Sequence, residues 1–128
     1  FRGNTHAFVT ARIAIEKFWA DSAFRDQLAH SAISLGKALG EIAATIPRAT
    51  LKGRGLMQGI DTGSGDLAAA ICARAYELGL IVETSGPNDE VVKILAPLTT
   101  PEPIFTEGLD ILRRAVADTM GSLRQAAE

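Results

Sequence analysis

Four stretches of the chain repeat apolar residues at intervals of three and four, the spacing that places them on one face of an α-helix. Helices are therefore predicted over about Thr5–Ala20, Ser22–Ile46 and Asp66–Leu78, and a fourth is predicted to start near Thr100. The first helix carries an apolar stripe that favours burial in a core or an interface. This stripe consists of Phe8, Ala11, Ile15, Phe18 and Trp19.

Proline and glycine mark the expected ends of these helices. Pro47 cannot continue a helix interior and should stop the second helix, and Gly79 can adopt the left-handed conformation that ends the third. Thr100 is expected to cap the fourth helix, with Pro101 and Pro103 in its first turn, where a missing N–H costs least.

Short apolar segments between the helices predict four strands, bounded by glycine-rich or polar turns. They cover about Ala49–Lys52, Leu56–Ile60, Leu80–Glu83 and Val91–Leu95. Gly53-Arg54-Gly55 is expected to form a tight hairpin or bulge between the first two, and Ser85–Asp89 a turn between the last two. The prediction is an α+β fold: a small, mostly antiparallel sheet of about four strands with helices packed on one face.

Lys93 interrupts the last strand. Alternation places it on the face of Val91 and Leu95, and places Val92 and Ile94 on the other face. A lysine at this position is either an edge residue that reaches solvent or a charge directed at a ligand.

Composition narrows the classes of function. The chain has 128 residues, of which 47% are hydrophobic and 22% charged, and its net charge is −2. This is the composition of one globular domain, without the basic excess expected for nucleic acid or an anionic membrane surface. The single cysteine, Cys72, excludes an internal disulfide and is compatible with a reducing compartment such as the cytoplasm.

Motifs for independent catalysis are missing from the sequence. His6 and His30 lie on different predicted helices, and neither has a ligand partner at metal-binding spacing, so no metal site is expected. Gly53-Arg54-Gly55 lacks the third glycine of a dinucleotide motif. Gly63–Asp66 precedes a helix but has no phosphate-loop ending, so an ordinary helix cap is expected there.

Several segments together resemble the C-terminal part of class III aminotransferases, which are fold-type I enzymes that use pyridoxal phosphate. The matching segments run in the same order over about Phe1–Met120, and within the class they are most similar to the diaminobutyrate–2-oxoglutarate aminotransferases of ectoine biosynthesis. The segments are Phe1-Arg2-Gly3-Asn4, Ala7–Ala11, Phe18-Trp19, Lys52–Gly59, Leu80–Gly86 and Val91–Thr99.

The resemblance implies a transaminase that moves an amino group from glutamate to aspartate β-semialdehyde and yields 2,4-diaminobutyrate and 2-oxoglutarate. It also implies that the Schiff-base lysine lies upstream of Phe1, since none of the four lysines of this chain stands in the family's context for it. The chain alone is therefore expected to be inactive and to contain no catalytic residue. Residues 1–20 are expected to form a connecting helix from a missing large domain, and residues 21–128 the C-terminal small domain.

Five residues are candidates for the site by this resemblance. By this resemblance Arg2, Gly3 and Asn4 would lie beside the cofactor phosphate of a second subunit. In the isolated chain, the favoured interpretation is a frayed terminus with Asn4 as a helix cap. Lys93 aligns with an arginine that binds the substrate carboxylate in many relatives, and a lysine offers only a point charge in its place. Arg54 or a residue upstream of this chain is the alternative ligand.

The expected partners are an amino acid and a 2-oxo acid, the chain's own large domain and a second subunit. Two alternatives stay open. The first is another class III aminotransferase, of the ornithine or 4-aminobutyrate type. The second is a stand-alone α+β module for binding or dimerisation.

Overall fold

The computed structural model describes residues 3–126, which form four α-helices and one four-stranded sheet. In chain order the elements are α1 (Thr5–Phe18), α2 (Ala23–Ala43), β1 (Thr50–Arg54), β2 (Met57–Asp61), α3 (Gly65–Glu77), β3 (Glu83–Ser85), β4 (Val91–Ile94) and α4 (Glu102–Gln125). The predicted α+β class is confirmed.

The sheet is antiparallel throughout, with the spatial order β1-β2-β4-β3. The last strand in the chain, β4, therefore lies in the interior of the sheet between β2 and β3. Lys93 belongs to this strand, so the interpretation of Lys93 as an edge residue is wrong: β2 pairs with one side of β4 and β3 with the other.

Helices α2, α3 and α4 pack on one face of the sheet and enclose the core. Val92 and Ile94 of β4 are buried in this core, as alternation predicted, and Ile60 lies beside Val92 on β2. The helices contribute side chains with no exposed surface, namely Leu35, Leu39, Ala68, Ile71 and Leu112. The opposite face of the sheet carries no helix of the described chain.

Both predicted hairpins form, but the turn of the first lies later than predicted, because Gly53 and Arg54 are paired within β1. Arg54 pairs with Met57, so Gly55 and Leu56 make a two-residue turn in which Gly55 takes a φ of 61°. The turn between β3 and β4 is held by Glu90, which is 9% exposed and accepts a hydrogen bond from the Asn88 amide at 2.8 Å.

The third strand starts later than predicted. Gly79 adopts a φ of 95° after α3, and the Leu80 amide donates to the carbonyl of Ala75 at 2.9 Å. Together with the bond from the Gly79 amide to Tyr76, this is a Schellman motif. Because Leu80 is still bonded to the helix, the predicted strand Leu80–Glu83 is wrong, and β3 covers Glu83–Ser85.

The fourth helix also starts differently. Pro101, not Thr100, occupies the N-cap position, and only Pro103 falls in the first turn. The Thr100 hydroxyl donates to the Pro97 carbonyl at 2.7 Å and so stabilises the preceding turn. The prediction that Thr100 caps α4 is therefore wrong.

The first helix stands apart from the core. It has no buried residue, and Phe8 is 69% exposed. Large apolar side chains lie on two sides of α1, with Phe8 and Ile15 on one side and Val9 and Ile13 on another. Its C-terminal end contacts α2 through an aromatic cluster. The ring centroid of Phe24 lies 5.1 Å from that of Phe18 and 5.3 Å from that of Trp19.

Candidate functional site

The face of the sheet opposite the helices carries a row of charged side chains. The strand register aligns Lys52 with Gly59, Gly59 with Lys93, and Lys93 with Glu83, so the row crosses all four strands. With neighbouring strands about 4.8 Å apart, the Cα atoms of the two lysines lie roughly 10 Å apart, separated by a glycine.

The glycine between the lysines is required by the packing of β4. A Cβ at Gly59 would lie 2.7 Å from Cγ1 of Val91 and 2.7 Å from the carbonyl oxygen of Val92. Only glycine allows β2 and β4 to approach at this point, and it also leaves the floor between the lysines without a side chain.

Each lysine of the row forms an ion pair with one carboxylate. Lys93 Nζ lies 3.1 Å from Glu83 Oε2, and Lys52 Nζ lies 2.7 Å from Asp61 Oδ2. The hydrogen bond from Lys52, followed by the one from the Gly63 amide, lowers the pKa of Asp61, and the same ion pair raises the pKa of Lys52. Lys52 and Asp61 thus form a charge-assisted pair that fixes the β1–β2 side of the row.

A cleft of about 530 Å³ borders the other end of the row, between β3, β4 and the start of α4. Lys93 and Glu83 belong to its lining, and the remaining wall is mostly apolar. Ile81, Leu95 and Ile104 of this wall are 80%, 60% and 58% exposed. A charged pair beside an apolar wall suits a ligand with a polar head and a carbon chain.

Sequence reasoning found Lys93 but missed Glu83 and Lys52. The sequence places Glu83 at the end of the predicted strand Leu80–Glu83 but does not fix the register of that strand. The partner of Lys93 follows only from the register. The signal was the hairpin itself: once the turn is centred on Asn88, Glu83 falls directly opposite Lys93.

The two predicted carboxylate ligands lie at different places on the sheet. Arg54 is exposed at the tip of the β1–β2 hairpin, two residues beyond Lys52 on the edge strand. Strand spacing and rise place its Cα roughly 12 Å from that of Lys93. Arg54 does not line the cleft beside Lys93.

The predicted cofactor contacts lie at the start of α1. Arg2 is outside the described residues. Gly3 has a φ of 92°, and Asn4 is the N-cap, with its side-chain oxygen accepting from the His6 amide at 3.0 Å. The cap interpretation of Asn4 is therefore confirmed.

This helix start offers amides to an anion but nothing to the rest of a pyridoxal phosphate molecule. The nearest lysine along α1 is Lys17, about 18 Å away at the other end of the helix. The described residues therefore fit the phosphate end of the cofactor only.

Other reactive groups do not extend the site. Burial raises the pKa of the half-buried Cys72 thiol, with a smaller effect from Glu83, so the thiol is a poor nucleophile. Among residues 3–126 no cluster of three potential metal ligands occurs. In the same range, no helix combines the length and the apolar character that crossing a membrane needs.

No family model matches this chain, but its sequence is similar to those of several diaminobutyrate–2-oxoglutarate transaminases. The diaminobutyrate–2-oxoglutarate transaminase of Halomonas elongata is 48% identical over 116 residues, which cover 88% of this chain. The enzyme of the same name from Streptomyces anulatus is 47% identical over 120 residues, or 93% of this chain. The chain spans about 28% of the length of both relatives.

A solved aminotransferase structure also resembles this fold. The crystal structure of N-acetylornithine aminotransferase from Stenotrophomonas maltophilia matches 94% of this chain with a TM-score of 0.77 and 28% identity. The match covers 33% of that aminotransferase. The four-stranded sheet and its helices therefore correspond to one part of a larger aminotransferase fold.

Proposed function

We propose that this chain, a homologue of the diaminobutyrate–2-oxoglutarate transaminases over nearly its whole length, is the C-terminal small domain of a longer class III aminotransferase with that activity. The observation that carries the proposal is 40–48% identity to enzymes of this one name. The whole protein would transfer an amino group from glutamate to aspartate β-semialdehyde, which yields 2,4-diaminobutyrate for ectoine biosynthesis in the cytoplasm.

In this proposal the small domain supplies the charge that binds the substrate carboxylate. Lys93 is the preferred ligand because it borders the cleft and presents its ammonium on the open face of the sheet. Arg54 is the alternative, at the hairpin tip. Both side chains are positive; Arg54 is exposed and Lys93 is half-buried. Either can therefore donate hydrogen bonds to a carboxylate without the cost of burying an isolated charge.

Pyridoxal phosphate would be held mainly by the part of the protein upstream of this chain, and when bound it stabilises negative charge on the substrate carbon that loses its proton. From this chain, Gly3 and Asn4, with Arg2, would contact the phosphate of the partner subunit's cofactor. The amides at the start of α1 support this role, because helix N-termini bind anions.

Residues 1–20 would connect the two domains, and 21–128 would form the small domain. The apolar side chains on two sides of α1 support burial of this helix against the large domain and a second subunit in a homo-oligomer. A stand-alone module that stays monomeric would leave these side chains in water.

The test uses the full-length protein with 2-oxoglutarate as amino acceptor and three donors: 2,4-diaminobutyrate, ornithine and 4-aminobutyrate. We expect kcat/KM to be highest for 2,4-diaminobutyrate. A preference for ornithine or 4-aminobutyrate would assign the protein to another aminotransferase type. A start codon directly before Phe1, with a stable monodisperse product and no transaminase activity, would favour the stand-alone module.

Substitutions at two positions distinguish the candidate ligands. K93M should lower kcat/KM at least tenfold, because it removes a charge-assisted contact worth about 1.5–3 kcal/mol, whereas K93R should retain most activity. R54M serves as the comparison. A large loss in R54M with none in K93M would move the carboxylate contact to the hairpin tip.

A further inference from the structure

The ion pair beside the cleft contains a carboxylate, from Glu83, in addition to the ammonium of Lys93. Binding of a substrate carboxylate requires only the ammonium. Glu83 faces Lys93 directly across the β3–β4 ladder, and the two head groups are 3.1 Å apart. The carboxylate of Glu83 is the more accessible partner, with 73% of its side chain exposed against 30% for Lys93. One positive and one negative group thus lie side by side on two residues that line the cleft.

The head group of an amino acid has the same pattern, since a carboxylate and an ammonium are attached to one carbon. Placed against this pair, its carboxylate would contact Lys93 and its ammonium would contact Glu83. Both charges would then be compensated by fixed partners, which a lone lysine cannot do for a zwitterion. The carbon chain would extend along the exposed apolar wall formed by Ile81, Leu95 and Ile104.

We infer that Glu83 is a specificity-determining residue that binds the α-ammonium of the diamine substrate while Lys93 binds its α-carboxylate. This inference rests on the proposed function. The inference accounts for selection of a diamino acid over an ω-amino acid that lacks the α-ammonium. The ω-amino acid brings no ammonium to Glu83 and so makes one charged contact fewer.

The experiment compares 2,4-diaminobutyrate with 4-aminobutyrate, which has the same carboxylate and reacting amine but no α-ammonium. In the full-length enzyme, E83Q should lower kcat/KM for 2,4-diaminobutyrate about tenfold or more, since the amide keeps the shape of the side chain and removes its charge. For 4-aminobutyrate, the kcat/KM of E83Q should stay within about twofold of the wild-type value. If 4-aminobutyrate acts only as a competitive inhibitor, the same holds for its Ki.

The matched control is E77Q. Glu77 is also an exposed carboxylate in an ion pair, 2.7 Å from Arg74 on α3, but it does not line the cleft. E77Q should leave the ratio of the two substrates unchanged. K93M should weaken both substrates, because both carry the carboxylate.

The outcomes separate this inference from the proposed function. Normal turnover of 2,4-diaminobutyrate by the wild type, with E83Q changing both substrates equally or neither, would overturn the role of Glu83 and leave the transaminase assignment intact. Failure of the wild type to turn over 2,4-diaminobutyrate would overturn the proposed function and the role of Glu83 with it.

Discussion

Substitution of Gly59 by alanine tests the packing of the two central strands. The added Cβ would meet a backbone oxygen and a methyl group of β4, both at 2.7 Å, and the Cα of Lys93 at 3.3 Å. Carbon atoms in contact prefer 3.5–4.0 Å, so β2 and β4 must separate by several tenths of an ångström. The backbone oxygen cannot rotate away, because it belongs to the neighbouring strand.

Overpacking of this kind costs typically 1–3 kcal/mol, which exceeds the gain of about 0.5–1 kcal/mol expected from replacing glycine by alanine in a strand. We therefore expect G59A to destabilise the domain by about 1–2 kcal/mol, measured as a lower urea midpoint at unchanged m-value.

The control is G121A in α4, where a Cβ meets nothing within 4 Å and alanine should stabilise the helix by up to about 1 kcal/mol. Equal stability of G59A and wild type would refute the conclusion that β2 and β4 have no room for a Cβ at residue 59. It would mean that the two strands can separate at little cost.

Three further measurements address the core, the charged row and the thiol. L112A should lower the free energy of unfolding by about 2–5 kcal/mol, since Leu112 is fully buried; a loss under 1 kcal/mol would mean that the core collapses around it. The pKa of Asp61 is lowered in the folded state. Its contribution to stability is therefore present above its ordinary pKa of 3.8 and is lost as pH falls from there through the lower folded-state pKa. D61N should flatten the fall of the urea midpoint between about pH 5 and pH 2, and an unchanged pH profile would contradict the ion pair with Lys52. Cys72 should react with a thiol reagent at pH 8 more slowly than free cysteine, because its pKa is raised, and denaturation should abolish the difference.

Periodicity located the helices because each buries one stripe, but it could not locate the third strand. Leu80, Ile81 and Val82 have the composition of a strand, yet the Schellman motif at Gly79 keeps the first of them bonded to α3. Ile81 is then left 80% exposed in the wall of the cleft. Local capping chemistry outweighed strand propensity at this point.

The candidate site shows a similar division. Alternation alone placed Lys93 opposite the core, because the period of a strand is fixed at two residues. Its partner Glu83 and its distance from Arg54 depend on strand order and hairpin register, which are long-range properties. For α1 the pattern predicted a helix and an apolar surface, and the structure shows that no residue of this helix is buried.

The interior position of β4 has a consequence for the order of folding. Each hairpin closes over a few residues, but the sheet becomes continuous only when β2 meets β4, for example at Asp61 and Val91, thirty positions apart. Loop closure at that separation is slower than hairpin formation, so the two hairpins should exist before they join. During synthesis, the chain up to the end of α3 leaves the ribosome before β4, so β2 has no partner on that side until Val91–Ile94 emerge. Rare codons that delay the synthesis of Val91–Ile94 should therefore prolong the lifetime of an incomplete sheet that proteases can cleave.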